Sequence, residues 1–98
     1  MAVFEINQAT GEPTLVQNID THGMVPRTFA LDPSGRILVA ANQNERLVRN
    51  GDTVTNVPAN LAVYRVRPDG KLDFVRTYDV DENHSANLFW MGILPVPR

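Results

Sequence analysis

The chain of 98 residues contains no cysteine, only two histidines and no long apolar run. The absence of cysteine excludes a disulfide framework, a thiolate nucleophile and every cysteine-based zinc site, and it fits a reducing compartment. No apolar run approaches the roughly 20 residues that span a bilayer, and the first residues, MAVFEINQ, lack the basic and apolar segments of a secretory signal. We therefore expect a cytoplasmic protein with no membrane as a partner.

Charge and ligand-forming residues are also sparse. The net charge is -2 and the basic residues form no stripe, so nucleic acid is not expected as a partner. The pattern Asp79-x-Asp81-x-Asn83 begins like an EF-hand calcium loop, but His84 stands at the position that needs glycine and Trp90 at the position that needs glutamate. No glycine-rich run has the spacing of a phosphate-binding loop. We expect neither a metal nor another cofactor.

Short apolar runs bounded by turn residues recur along the chain. In PRTFALDPSGRILVAANQ, residues 26–43, two apolar runs that are too short for helices flank a turn at 32–35. Pro33 presets φ for a type I turn, Asp32 can accept hydrogen bonds from the turn backbone, and Gly35 supplies the left-handed residue of a bulged hairpin. Similar turns occur at residues 8–12 and 67–71. The pattern predicts an all-β, antiparallel protein.

The strand pattern repeats with a period near 60 residues. VFEINQATGEPTLVQNID matches VYRVRPDGKLDFVRTYD, with Val63 following Val3 by 60 positions and Gly70 following Gly11 by 59. Each period holds four antiparallel strands, which is the unit of a β-propeller blade. With the strands of a blade lettered A to D, we predict that residues 1–98 form a single partial propeller unit of about two blades. Its parts are strands C and D of one blade (3–20), a complete blade (27–79) with an insert (46–58), and an A-like strand of the next blade (86–94).

The insert carries its own turn signal. Arg49-Asn50-Gly51-Asp52 lies between short β-prone runs and is typical of a type I′ hairpin. We expect this hairpin to form a small flap over one end of the blade.

The motifs Pro26-Arg27, Leu31-Asp32-Pro33, Gly35-Arg36 and Ala41-Asn42-Gln43 together resemble the lactonase-type seven-bladed propellers. That family includes phosphogluconolactonases and carboxymuconate lactonizing enzymes, and its blades typically read P-R-x-x-x-L-D-P-x-G-R-x-L-x-V-A-N-Q. The resemblance covers most of residues 3–76. It departs from the family in the insert and in the lack of about five blades.

The resemblance implies a C-terminal fragment of a metal-independent enzyme that acts on a small anionic lactone or carboxylate. The reaction would be hydrolysis of a sugar lactone such as 6-phosphogluconolactone, or cycloisomerisation of a muconate lactone. Since such enzymes draw catalytic residues from several blades, the chain alone is not expected to be catalytically complete. Unfinished blades leave strand edges and apolar faces uncovered, so we expect self-association or pairing with missing blades. The alternative is a non-catalytic propeller that serves as a binding scaffold.

Strand direction assigns the candidate residues to one end of the blade. The long D-to-A and B-to-C connections share an end, and loops on a rigid scaffold commonly carry function. Arg27 is the first candidate, as a catalytic or substrate-binding residue that holds a carboxylate or phosphate in a bidentate manner, although it could merely satisfy loop carbonyls. His22 is a candidate proton carrier or a solvated loop histidine. Asn42 and Gln43 either bind substrate or cap the strands.

Overall fold

The computed structural model describes residues 1–80 and 90–96 of the chain. Within this part the regular structure consists of eight β-strands in three antiparallel sheets. The strands are β1 (Ala2–Ile6), β2 (Pro13–Asn18), β3 (Met24–Leu31), β4 (Ile37–Asn44), β5 (Arg46–Asn50), β6 (Thr53–Val57), β7 (Asn60–Val66) and β8 (Leu72–Asp79). Nowhere in the described ranges is there a helix long and apolar enough to cross a membrane.

The central sheet has four strands in the order β3-β4-β7-β8, and every neighbouring pair is antiparallel. This is the four-stranded unit of a propeller blade. Strands β1 and β2 form a separate hairpin before it, and β5 and β6 form a hairpin inserted between its second and third strands. The predicted fold class, all-β with partial propeller blades, is confirmed. The division of the chain into particular blade parts stays a prediction.

The turn between β3 and β4 follows from its side chains. The Gly35 amide donates to the Asp32 carbonyl at 2.9 Å, and Gly35 has a φ of 72°, which glycine adopts without a steric penalty. The Asp32 carboxylate accepts hydrogen bonds from the Ser34 hydroxyl and from the backbone amides of Ile37 and Arg36. These bonds favour the ionised carboxylate, the Ser34 bond most of all, and lower the pKa of Asp32 to about 2.

The turn of the inserted hairpin is not of the predicted type. Asn50 pairs with Thr53 across a two-residue loop, and of its two central residues only Gly51 has a positive φ, at 63°. A type I′ turn needs positive φ at both central positions, whereas a positive φ at the first alone is the type II′ pattern. The Asn50-Gly51 pair therefore correctly predicted a hairpin. The two residues do not occupy its central positions, however, because those are held by Gly51 and Asp52.

The first hairpin packs against one face of the central sheet. The core on this face consists of Leu38, Ala40, Ala62, Tyr64 and Leu72, with Met1, Val3, Ile19 and Val66 packed against it. The Gln17 side chain joins the two sheets, since its amide donates to the Leu72 carbonyl at 2.9 Å and its oxygen accepts from the Leu72 amide at 2.7 Å. The hairpin is thereby held at the start of β8.

Several apolar side chains remain uncovered. Phe29 and Leu31 on β3 are 61% and 49% exposed, beside an apolar groove of about 340 Å³ between β3 and the first hairpin. In the predicted A-like strand 86–94, residues 86–89 lie outside the described residues, as does His84. Residues 90–94 are not paired in a sheet, and Trp90 is 77% exposed. That strand therefore stays a prediction.

Candidate functional site

The two ends of the central sheet differ in character. One end, here called the turn end, carries the tight turns after β3 and β7. The other, the loop end, is where β3 and β7 begin and β4 and β8 finish. A row of paired residues runs across the sheet there, from Pro26 to Asn42, to Asn60 and to Asp79. The connection before β3 and the inserted hairpin both meet the sheet at this row, so the predicted site residues share the loop end.

Three side chains of the sheet hold three consecutive carbonyls of the loop at residues 20–23. The Tyr64 hydroxyl donates to the Asp20 carbonyl at 2.6 Å. The amide of Asn42 donates to the Thr21 carbonyl at 2.7 Å, and the amide of Asn60 donates to the His22 carbonyl at 3.3 Å. The 20–23 loop is therefore fixed by the blade that follows it in sequence.

Asn42 and Asn60 are a buried pair with a defined orientation. Both are fully buried, and the second amide hydrogen of Asn42 is donated to the Asn60 side-chain oxygen at 2.8 Å. Because backbone carbonyls can only accept, the contacts with Thr21, His22 and Pro58 require that both side chains turn their nitrogen atoms toward the loop. Both amide hydrogens of Asn42 are thus used within the protein. The predicted role of Asn42 in substrate binding stays a prediction.

Gly23 lies directly against this pair. A β-carbon on Gly23 would fall 2.5 Å from both Cβ and Nδ2 of Asn42. Gln43, the residue after Asn42 on β4, is half-buried and points to the opposite face of the strand because side chains alternate. Its proposed contact with substrate also stays a prediction.

Arg27 occupies a β-bulge at the loop end. Pro26 pairs with Asn42 and Thr28 pairs with Ala41, so Arg27 is the extra residue on β3. A bulge breaks the alternation of side chains and re-aims the extra one, and bulges are frequent next to active sites. The Arg27 side chain is exposed.

The backbone before Arg27 is strained at two positions. His22 has a φ of 60° and Val25 a φ of 56°. A positive φ is uncommon for any residue other than glycine and is an outlier for a β-branched one such as Val25. The surrounding contacts must therefore fix this segment.

His22 packs inside the fold more than the sequence indicates. Its ring stacks on Phe74 of β8 with centroids 3.8 Å apart, and its side chain is 34% exposed. Nδ1 lies 3.9 Å from the Asp20 carboxylate, which also accepts the His22 backbone amide at 2.9 Å. That backbone bond is the main reason why the pKa of Asp20 is lowered. The role of His22 as a proton carrier stays a prediction.

Sequence reasoning missed Asn60 and Tyr64. The sequence carries a signal, because the polar residue Asn60 stands directly before an apolar run that ends in Tyr64; in the structure alternate residues of this stretch, from Asn60 to Tyr64, are buried. Within residues 1–80 and 90–96, no three His, Asp or Glu side chains come together as a metal site. The expectation that no cofactor is bound stays a prediction.

A four-stranded antiparallel blade, preceded by a further antiparallel hairpin, defines a protein of the β-propeller class. Comparison with known proteins specifies the family. The model of the family described as Lactonase, 7-bladed beta-propeller, matches residues 1–51, and the chain belongs to that family.

Two curated relatives carry the name 6-phosphogluconolactonase. The protein of Bacillus subtilis (strain 168) is 46% identical over 43 residues, which are 44% of this chain and 12% of the relative. The protein of Formosa agariphila is 44% identical over 43 residues, with the same shares covered. The matched part of this chain thus spans about an eighth of the length of these relatives. No solved structure matches the chain.

Proposed function

We propose that the loop end of this blade supplies part of the substrate site of a propeller that hydrolyses a sugar lactone carrying an anionic group, such as 6-phosphogluconolactone. Membership of the lactonase family and the names of the two relatives support this reaction class. The position of Arg27 carries the assignment to this end of the blade. A complete site requires residues from other blades.

Arg27 binds the anionic group of the substrate in this proposal. The guanidinium presents a planar fork of N–H donors that matches the oxygen atoms of a phosphate or carboxylate. Arg27 is exposed at a bulge at the start of the first strand of the sheet, where the backbone is fixed by the loop before it. An anion held there is oriented by a rigid strand and not by a mobile loop.

Hydrolysis of a lactone adds water to the ring carbonyl, breaks the ring C–O bond and gives a hydroxy acid. One proton leaves the attacking water and one is delivered to the ring oxygen. We assign this transfer to His22, whose Nδ1 is turned to Asp20 and whose Nε2 is the nitrogen left for the reaction. Because the His22 ring also packs on Phe74, its access to substrate depends on the neighbouring blade.

The test uses the complete propeller that contains these residues, assayed on 6-phosphogluconolactone and on carboxymuconate. A hydrogen bond to a charged group contributes about 1.5 to 3 kcal/mol, so Arg27→Ala should lower kcat/KM roughly 10- to 100-fold. Arg27→Lys keeps the charge without the fork and should fall between. Arg36→Ala, at an exposed arginine of the turn end, is the matched control and should stay within about twofold. Equal activity of the Arg27→Ala and Arg36→Ala proteins removes Arg27 from the site.

The inserted hairpin favours a second function, that of a non-catalytic binding scaffold. Leu47 and Val54 are 73% and 53% exposed on it, and Arg49 pairs with Val54 across the strands. An apolar surface next to a positive charge is suited to a protein partner. Absence of turnover by the complete propeller on a panel of lactones favours this function over the first. A cytoplasmic location is part of either proposal.

A further inference from the structure

We infer that Tyr64, Asn42 and Asn60 act together as a clamp that positions Arg27 for the anionic group of the substrate. The inference rests on the proposed function, since it names positioning residues for that site. The term clamp refers to these three side chains and their bonds to the 20–23 loop.

The clamp fixes the chain immediately before Arg27. Its three bonds end at consecutive carbonyls, those of Asp20, Thr21 and His22. Four residues separate the last of them from Arg27, and two of the residues from His22 onward, His22 itself and Val25, have positive φ. Such backbone conformations persist only where the surrounding structure over-determines them. The clamp provides that constraint from buried side chains of strands β4 and β7.

Asn42 connects the clamp to the bulge itself. Its side chain holds the Thr21 carbonyl, while its backbone pairs with Pro26, the residue before Arg27. A change in the position of Asn42 therefore moves the loop and the start of the bulge together. Gly23 allows this arrangement, because its lack of a β-carbon leaves room for the Asn42 side chain.

The first test measures the loop directly, by amide hydrogen exchange of the 98-residue chain. Tyr64→Phe removes one donor and keeps the ring, and we expect exchange at His22 and neighbouring amides of the loop to rise about tenfold, with little change in β4. Asn42→Asp replaces the donor with an acceptor that faces the Thr21 carbonyl and the Asn60 oxygen. It should raise exchange further.

Asn7→Asp is the matched control for Asn42→Asp. The Asn7 oxygen accepts from the amides of Ala9 and Thr10, and an aspartate oxygen can accept the same bonds. The same chemical change should therefore leave the 20–23 loop as it is in the unaltered chain. Unchanged loop exchange in both Tyr64→Phe and Asn42→Asp would overturn the clamp.

The second test asks whether the clamp acts through Arg27, in the complete propeller. We expect Tyr64→Phe to raise KM for 6-phosphogluconolactone about three- to tenfold; kcat is read separately, because a looser 20–23 loop also displaces His22, the proposed proton carrier. In the Arg27→Ala background the same substitution should have no further effect on KM, because the group that it positions is gone. A purely structural effect of Tyr64 would persist in both backgrounds and would overturn the inference. If Arg27→Ala itself is fully active, the proposed function of Arg27 fails, and the exchange rates still decide whether the clamp exists.

Discussion

Gly23→Ala tests how tightly the loop end is packed. The new β-carbon would lie 2.5 Å from Cβ and Nδ2 of Asn42, a separation that real β-carbons essentially never show. Asn42 is fully buried and cannot swing into solvent. Either Asn42 leaves its partners or the 20–23 loop leaves the sheet.

The cost follows from the bonds at stake. If Asn42 moves, it loses its bonds to the Thr21 carbonyl and to the Asn60 oxygen. Each bond contributes about 1 kcal/mol, and a buried acceptor left without a partner costs about 1 to 3 kcal/mol. If the loop moves instead, overpacking costs about 1 to 3 kcal/mol and the clamp bonds weaken. We therefore expect Gly23→Ala to lower the free energy of unfolding by about 2 to 4 kcal/mol.

Urea unfolding followed by circular dichroism, at two protein concentrations, measures this loss in a double-mutant cycle. In the Asn42→Gly background neither the β-carbon nor the amide group of residue 42 remains, so the added methyl group has space. Gly23→Ala should therefore cost less than about 1 kcal/mol there, with a coupling of at least about 1 kcal/mol. Gly35→Ala is the control. Its β-carbon would meet nothing within 4 Å, and its cost should arise only from the φ of 72° and be equal in both backgrounds. Equal costs of Gly23→Ala in the two backgrounds would refute the packing argument.

Three further outcomes are expected from the same fold. Burial, and secondarily the Asp20 carboxylate, raises the pKa of Tyr64 to about 12. The stability due to the neutral phenol is therefore complete below pH 10 and is lost as the pH rises toward 12. In urea unfolding, Tyr64→Phe should lack this alkaline loss of stability. The pKa of Asp32 is lowered to about 2, chiefly by the Ser34 hydroxyl, so its contribution is present above pH 3.8 and is lost as the pH falls toward 2; the difference in urea midpoint between the unaltered chain and Asp32→Asn should shrink over that range. The exposed Phe29 and the groove beside it should cause self-association, which light scattering after size-exclusion chromatography detects; a monodisperse, thermally robust monomer would contradict it.

The fold was predictable because its determinants are local. Asp32 and Gly35 specify their turn within a few residues. The apolar runs on each side are too short for helices and therefore predict strands. The sequence repeat then predicted four strands in the blade, and the central sheet has four. The type of the inserted turn was missed because Asn-Gly occurs in more than one register of a two-residue loop, and only the strand pairing of Asn50 with Thr53 decides between them.

The site was less predictable because its contacts are distant in sequence. Tyr64 reaches Asp20 across 44 residues, and Asn60 reaches His22 across 38. Neither bond has a motif, since any strand could have offered the donor. The bulge at Arg27 likewise depends on how β3 and β4 are paired, and a shift of one residue in that register leaves no trace in composition.

Asn42 shows why a polar residue at a strand end is hard to assign from sequence. The sequence left two roles open for Asn42, a contact with substrate and a cap of the strands. In the structure its side-chain amide donates to the Thr21 carbonyl, and its backbone pairs with Pro26 in the sheet. An amide has separate donor and acceptor atoms, so these uses do not compete for the same atom. Among the described residues its side-chain oxygen is buried and has no hydrogen-bond partner.

The orientation of the Asn42 side-chain oxygen is fixed by the carbonyl of Thr21, which only an N–H can satisfy. Replacement by aspartate therefore adds charge and removes both donors, whereas replacement by alanine removes the whole amide group, donors and oxygen together, without adding charge. If the donors are what matters, the two variants should release the 20–23 loop to a similar extent in hydrogen exchange, while only aspartate should make that release grow with pH above the pKa of the new carboxyl group.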